Sequence, residues 1–133
     1  MKKVVISGSV KNQDQIQKWV KYWEEKDGYM VLDYPKLIPA EDFEEKYPDV
    51  YKDFFKNILE ADVLFVANYE KNGIKGYIGP GVFAEINFVL VQKIIHNKDI
   101  KIVLAHNPSK EIQPYEEISL WIKLGWINIL EDN

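Results

Sequence analysis

The chain has 133 residues, of which 47% are hydrophobic and 14% aromatic, so it is long and apolar enough to fold as one domain over residues 1–133. Cysteine is absent, which excludes disulfides, thiolate chemistry and cysteine zinc sites. The net charge is −4 and all 17 basic residues are lysines, a composition that argues against a nucleic-acid binder.

A strand is predicted first, over Lys3–Ser7, a β-branched run that ends in the polar turn Ser7-Gly8-Ser9. A helix should follow from Asn12, because apolar residues then recur at helical spacing: Ile16, Trp19, Val20 and Trp23.

The ends of this helix carry their own signals. Asn12 and Gln15 are spaced as a capping box, and Gly28 is placed to stop the helix. Tyr29–Leu32 then predicts a second short strand, which closes at Asp33.

The middle of the chain begins with an irregular, acidic segment, Leu37–Lys46. Its length favours a lid or an interface, whereas its charges favour a solvated face. A helix is predicted from about Pro48, with an inner side at Val50 or Tyr51, Phe54, Ile58 and Leu59. Val63–Ala67 is continuously apolar, as a central parallel strand should be, and Asn68 and Tyr69 follow it.

Four glycines and a proline then lie close together. Gly76–Gly81 predicts a loop, and Pro80 is suited to the first position of a helix that continues to about His96. The residues of this helix are apolar on almost every side, which predicts a buried helix.

Glu85 is the exception within that helix. A buried carboxylate without a partner is costly, so Glu85 should belong to a site. The alternative is that Glu85 only complements the positive end of the helix dipole. In either case the helix N-terminus should favour its ionised form.

The remaining elements complete the alternation. Ile100–Ala105 predicts a fourth strand, Tyr115–Leu124 a helix stopped by Gly125, and Ile127–Leu130 a fifth strand. This pattern predicts an α/β fold, a flavodoxin-like or Rossmann-like three-layer sandwich with a five-stranded parallel sheet. The strand order should be 2-1-3-4-5.

Such a sheet binds ligands beyond the carboxyl ends of its strands, at the switch point between the first and third. Several polar or small residues should meet Glu85 there, although each is also an ordinary turn residue. The candidate substrate-binding residues are Ser7, Gly8, Ser9, Asp33, Asp53, Asn68, Tyr69, Gly79 and Gly81.

Three stretches in this order carry a family resemblance: ISGS in the first turn, ADVLFVAN in the third strand, and GxGxxxE opening the apolar helix. Over Lys3 to about Ala105 the chain resembles the nucleoside 2-deoxyribosyltransferase-like family. The resemblance implies that Glu85 is a nucleophile that attacks C1′ of a deoxyribose, expels the base and forms a glycosyl-enzyme. The sugar then passes to another base or to water.

The chain departs from the family pattern at two acids. Family transferases carry an aspartate six residues before the nucleophile, where this chain has Gly79. They carry another in the helix before the third strand, where the matching position is nearer Phe54 and Asp53 is one residue away. A carboxyl-terminal segment that completes a neighbouring subunit's site is not recognisable. The acid partner is therefore absent or supplied by another group, such as Asp33, Asp53 or Tyr69.

Two functions remain open at this point. One is cleavage or transfer of the N-glycosidic bond of a (deoxy)nucleoside or nucleotide; the other is a nucleotide-binding or sensing module without turnover. A flavin carrier is disfavoured, because SGSVKN lacks the run of Ser, Thr and Gly donors that such proteins wrap round a phosphate.

The expected partner is a small nucleoside or nucleotide, with no metal, no cofactor, no nucleic acid and no membrane. We expect no metal because the chain has only two histidines and no cysteine. It begins with no signal sequence and contains no apolar run of membrane-spanning length, so we expect a cytoplasmic protein. We also expect a homodimer or larger, since four tryptophans and the helix from Pro80 present more apolar surface than one small core absorbs.

Overall fold

The five predicted strands form one parallel sheet in the computed structural model, which describes residues 1–130. Their order is β2-β1-β3-β4-β5, as predicted. All four neighbouring pairs are parallel, so the carboxyl ends of the strands share one edge. The bounds are β1 (Lys2–Ser7), β2 (Tyr29–Asp33), β3 (Val63–Val66), β4 (Lys101–Leu104) and β5 (Asn128–Ile129).

Four α-helices connect these strands: α1 (Gln13–Glu24), α2 (Phe43–Glu60), α3 (Pro80–His96) and α4 (Tyr115–Lys123). Helix α3 has the predicted bounds, with Pro80 at its start and the left-handed Asn97 after its end. Gly125 lies just past the end of α4 with φ of 78°, which is the left-handed conformation that commonly ends a helix.

Side chains alternate along the strands and so build two cores. Val4 and Ile6 of β1 pack beneath α1, with Ile16 and Trp23 of that helix. Val5 points to the opposite face, which is covered by α2, α3 and α4. The sheet is therefore the middle of three layers, and the predicted fold class is confirmed.

Helix α2 begins earlier than predicted. The irregular segment Leu37–Lys46 contains a short 3₁₀ turn at Ala40–Asp42, and α2 follows at once from Phe43, with Pro48 inside it. The prediction started the helix at Pro48 because proline costs a helix interior about 3 kcal/mol. The overlooked signal is an aromatic residue at every fourth position, which continues the helical period across the proline.

Helix α1 begins after Asn12, as predicted, but neither of its predicted end signals acts as expected. Asn12 is the N-cap residue, but its side chain makes no capping bond. The helix ends at Glu24, and Gly28 forms the turn into β2 with φ of 85°.

Helix α3 is not buried on all sides, contrary to the prediction of a buried helix but in agreement with the expectation that it carries more apolar surface than one core absorbs. Ile86, Val89 and Leu90 face the core, whereas Val91, Ile94 and Ile95 are 41%, 52% and 65% exposed. The reason is that α3 belongs to an outer layer, so the sheet covers only one of its sides. No helix within residues 1–130 is long and apolar enough to cross a membrane.

The tryptophans are also better covered than predicted. Trp23 and Trp121 are buried, and Trp19 packs against Phe65 with ring centroids 4.6 Å apart. Among the four, only Trp126 is exposed. Surplus apolar surface therefore lies on helices rather than on tryptophans.

Candidate active site at the carboxyl edge of the sheet

A cavity of about 230 Å³ lies at the carboxyl edge, where the ends of β1 and β3 meet the start of α3. This is the switch point at which open parallel sheets bind ligands. The volume is below the ~300–1,000 Å³ of drug-sized pockets, so the cavity suits a small ligand or one part of a larger one. The lining comprises Gly8, Ser9, Asn12, Val66, Ala67, Asn68, Tyr69, Lys71, Tyr77, Gly79, Pro80, Gly81, Val82 and Glu85.

Most of the candidate residues come together here. Seven of them line the cavity: Gly8, Ser9, Asn68, Tyr69, Gly79, Gly81 and Glu85. Ser7 is fully buried at the end of β1 and contacts Glu85. Asp33 and Asp53 are not part of the lining.

The Ser7 hydroxyl donates a hydrogen bond to Glu85 Oε1 at 2.5 Å. The two residues are 78 positions apart, and only the pairing of β1 with β3 brings them together. One carboxylate oxygen is thereby held, so the orientation of the carboxylate at the cavity wall is defined.

Burial raises the pKa of Glu85 from its ordinary value of 4.5 to about 7, and the hydrogen bond from Ser7 opposes part of that rise. This corrects the expectation that the helix N-terminus favours the ionised form. Glu85 is the sixth residue of α3, and the dipole effect fades within the first turn. The capping explanation for Glu85 is therefore not supported.

The raised pKa predicts that folding stability falls as Glu85 ionises. Stabilisation by the neutral carboxyl is complete below about pH 4.5 and is lost as the pH rises through about 7, because the unfolded chain ionises first. Glu85→Gln should match the wild type near pH 4 and exceed it by up to about 3 kcal/mol at pH 8. Urea unfolding at several pH values measures this difference. Exposed Glu111→Gln is the control, and an equal pH trend in Glu85→Gln and the wild type would contradict the prediction.

Asn68 is committed to the protein itself. Its Nδ2 donates to the carbonyl oxygen of His106 at 2.7 Å, and its Oδ1 accepts from the His106 N–H at 2.9 Å. The side chain is 1% exposed. Asn68 therefore ties the loop after β3 to the loop after β4, a positioning role that its sequence position did not reveal.

Asp33 is held outside the cavity by three donors. Its carboxylate accepts hydrogen bonds from the Tyr34 N–H at 2.8 Å, from Asn57 Nδ2 at 2.9 Å and from Lys36 Nζ at 3.4 Å. Asp33 thus joins β2 to α2. Asp53 is exposed on α2. Neither aspartate is placed to act on a ligand in the cavity.

A tight hairpin over Lys71–Ile74 brings two further residues to the cavity. Asn72 and Gly73 have φ of 53° and 79°, and the flanking residues exchange two backbone hydrogen bonds of 3.0 and 2.9 Å. The Asn72-Gly73 pair is itself a strong hairpin signal in the sequence. It places Lys71 in the lining, with Tyr77 following after the turn.

Tyr77 lies against the start of α3. Its N–H donates to the Tyr69 carbonyl at 3.2 Å, and Lys71 Nζ lies 5.2 Å from its ring centroid. A Cβ at Gly79 would be 3.2 Å from Tyr77 Cε1 and 3.7 Å from its hydroxyl oxygen. The phenol therefore occupies space that a side chain at position 79 would need.

The N-terminus of α3 also opens on the cavity. Gly79 is the N-cap residue and offers no side chain, so no side-chain cap is made to the first turn. The N–H groups of Gly81 and Val82 belong to that turn, and both residues line the cavity. They can donate to a hydroxyl or phosphate oxygen.

Comparison of the chain with family models, with curated proteins and with solved structures finds no match. The geometry of the cavity is therefore the basis for a functional conclusion. Within residues 1–130, no three His, Asp or Glu side chains are grouped so that they could hold a metal ion.

Proposed function

We propose that the protein cleaves or transfers the N-glycosidic bond of a (deoxy)nucleoside or its monophosphate, with Glu85 as the nucleophile. The observation that carries this proposal is the carboxylate of Glu85, oriented by Ser7 at the wall of a sugar-sized cavity. Carboxylates with a raised pKa cluster at catalytic sites. The resemblance to the nucleoside 2-deoxyribosyltransferase-like family supports the same chemistry.

In the proposed reaction, ionised Glu85 attacks C1′ while the bond from C1′ to the base nitrogen breaks. The electron pair of that bond leaves with the base, which takes a proton from an acid in the cavity. Water or a second base then attacks C1′ of the glycosyl-enzyme, and the ester bond from C1′ to Glu85 breaks. The Glu85 carboxylate leaves with the electron pair of that bond, and the proton of the attacking group returns to the deprotonated acid. The Gly81 and Val82 N–H groups hold a sugar hydroxyl or phosphate oxygen.

Tyr77 is the proton donor in this proposal. The groups in the lining that can give up a proton include Tyr69, Lys71 and Tyr77. Tyr69 is exposed, whereas the ring of Tyr77 is half-buried and fixed against Gly79. Because a general acid must be held within reach of the leaving atom, the better-fixed phenol is assigned the role.

Tyr77→Phe should lower base release from a natural nucleoside by about 10²–10⁴-fold, since the ring is kept and only the proton donor is removed. A 4-nitrophenyl deoxyriboside needs no proton on its leaving group and should lose less than about tenfold. Tyr69→Phe removes the competing phenol in the lining, and any loss that it causes should be equal on the two substrates because Tyr69 is not the proton donor. Equal losses on the two substrates would assign Tyr77 to packing.

A second candidate is a nucleotide-binding module without turnover. It is favoured by one observation: among the described residues, Glu85 is the only carboxylate in the lining, so no second acid flanks the sugar. In such a module, Glu85 would accept a hydrogen bond from a sugar hydroxyl.

One experiment separates the two candidates. The protein is incubated with a panel of deoxynucleosides and their 5′-monophosphates, with and without a second base, and free base is measured by chromatography. Calorimetry with the same panel reports binding. Base release supports the glycosidic reaction, saturable binding without release supports the module, and the absence of both contradicts a nucleoside site.

A further inference from the structure

We propose that the chain forms a two-fold symmetric dimer through an apolar surface on the outer side of α2 and α3. This α2–α3 face consists of Phe43, Tyr47, Tyr51, Ala84, Val91 and Ile95. The proposed dimer is independent of the reaction proposed above.

The α2 part of the face is a row of aromatic rings. Phe43 and Tyr47 stack with centroids 5.3 Å apart, and contacts of 5.6 and 4.7 Å continue through Tyr51 to Phe55. Phe55 packs on the core, but Phe43, Tyr47 and Tyr51 are 47%, 44% and 50% exposed. The row therefore runs off the core and has no partner on the chain's own sheet.

The α3 part joins this row directly. The rings of Phe55 and Phe88 meet at 5.0 Å, and Ala84, Val91 and Ile95 lie on the same side of α3 as Phe88. Between Pro80 and Gln92, α3 carries one charged residue, Glu85, which lines the cavity. Such a scarcity of charged residues is typical of the core of a protein interface.

The size of the face matches the need of a stable dimer. At the observed exposures, its aromatic and aliphatic side chains and neighbouring Ile94 present roughly 450 Å² of apolar area. A standard interface buries about 800 Å² on each partner, of which about 57–65% is apolar. The face thus supplies approximately the apolar area that one side of such an interface requires.

The charges favour a second copy as the occupant. Acidic residues outnumber lysines on α2 (Glu44, Glu45, Asp49, Asp53 and Glu60 against Lys46, Lys52 and Lys56), and the whole chain carries −4, so an anionic membrane would be repelled. The face offers no charge that would select a charged peptide. A surface that is apolar throughout is complementary to itself, as a two-fold interface demands.

Sedimentation of the full chain at micromolar concentration tests the proposal, and the wild type should be a dimer. Val91→Lys combined with Ile95→Lys should raise the dissociation constant at least about 100-fold, because two charges would be buried without partners. Tyr47→Lys on α2 should also weaken the dimer by at least about tenfold. Both variants change exposed positions, so circular dichroism should report an unchanged fold.

The matched control combines Val10→Lys with Leu37→Lys. These residues are 40% and 65% exposed, close to the values for Val91 and Ile95, but lie outside the face. The control should remain dimeric. A monomeric wild type, a dimer that survives the α3 substitutions, a dimer indifferent to Tyr47→Lys, or equal dissociation of the control would each overturn the proposal.

Discussion

Replacing Glu85 with glutamine should reduce base release by at least about 10³-fold while nucleoside affinity changes only a few-fold. The covalent bond to C1′ is made only during the reaction, so its loss affects the transition state rather than the bound ground state. Glutamine keeps the shape of the side chain and can still accept the hydrogen bond from Ser7. Single-turnover base release and calorimetry on the same preparations measure both quantities.

The pH dependence of the wild type provides an independent check on Glu85. The ionised carboxylate is the nucleophile, so kcat/KM should rise with pH through about 7, the direction opposite to that of stability. Exposed Glu111→Gln should retain the wild-type rate and profile. Base release that survives in Glu85→Gln would remove the proposed reaction, whereas weakened binding with no turnover in either protein would favour the binding module.

Gly76→Ala should destabilise the fold by about 3–5 kcal/mol, the largest effect expected for a single methyl group in this chain. Gly76 has φ of 68°, a conformation that disfavours any side chain. An added Cβ would also run into the backbone carbonyl of Asn107 and lie 3.2 Å from the Cα of Pro108. Neither atom belongs to a flexible side chain, so the loop after β4 would have to move.

Gly73→Ala is the matched control for this prediction. Gly73 has a similar φ of 79°, but an added Cβ would have no neighbour within 4 Å. Its cost should therefore be only the strain of the left-handed conformation, about 1–2 kcal/mol. Chemical denaturation of both variants isolates the clash as the difference between them. Equal losses would show that Gly76 is needed for its conformation alone.

The fold class and the expected position of the candidate site both follow from the amino-acid sequence. Apolar strands that alternate with helices define a parallel sheet, and the order of a five-stranded sheet of this kind places its switch point between β1 and β3. The start of α3 at Pro80 and its end near His96 can also be predicted from the sequence, because helix start signals and helical periodicity depend only on residues close together in the chain. Glu85 stood out as the one acid in an apolar helix.

Local sequence signals gave wrong or incomplete predictions where two of them conflicted or overlapped. Pro48 predicts the start of α2, because proline disfavours a helix interior, yet the aromatic spacing before it continues the helix back to Phe43. The Asn72-Gly73 hairpin was readable but was hidden among the glycines around it. As a result, Lys71 and Tyr77 were missed as cavity residues.

Which polar groups meet depends on tertiary packing and cannot be inferred from local sequence. The bonds from Ser7 to Glu85 and from Asn68 to His106 span 78 and 38 residues, and no local pattern encodes such pairs. Asp33 instead accepts a hydrogen bond from Asn57 of α2, which lies 24 residues away in the sequence. The pKa of Glu85 depends on how closely neighbouring elements exclude water, so its direction emerged only once those elements were packed.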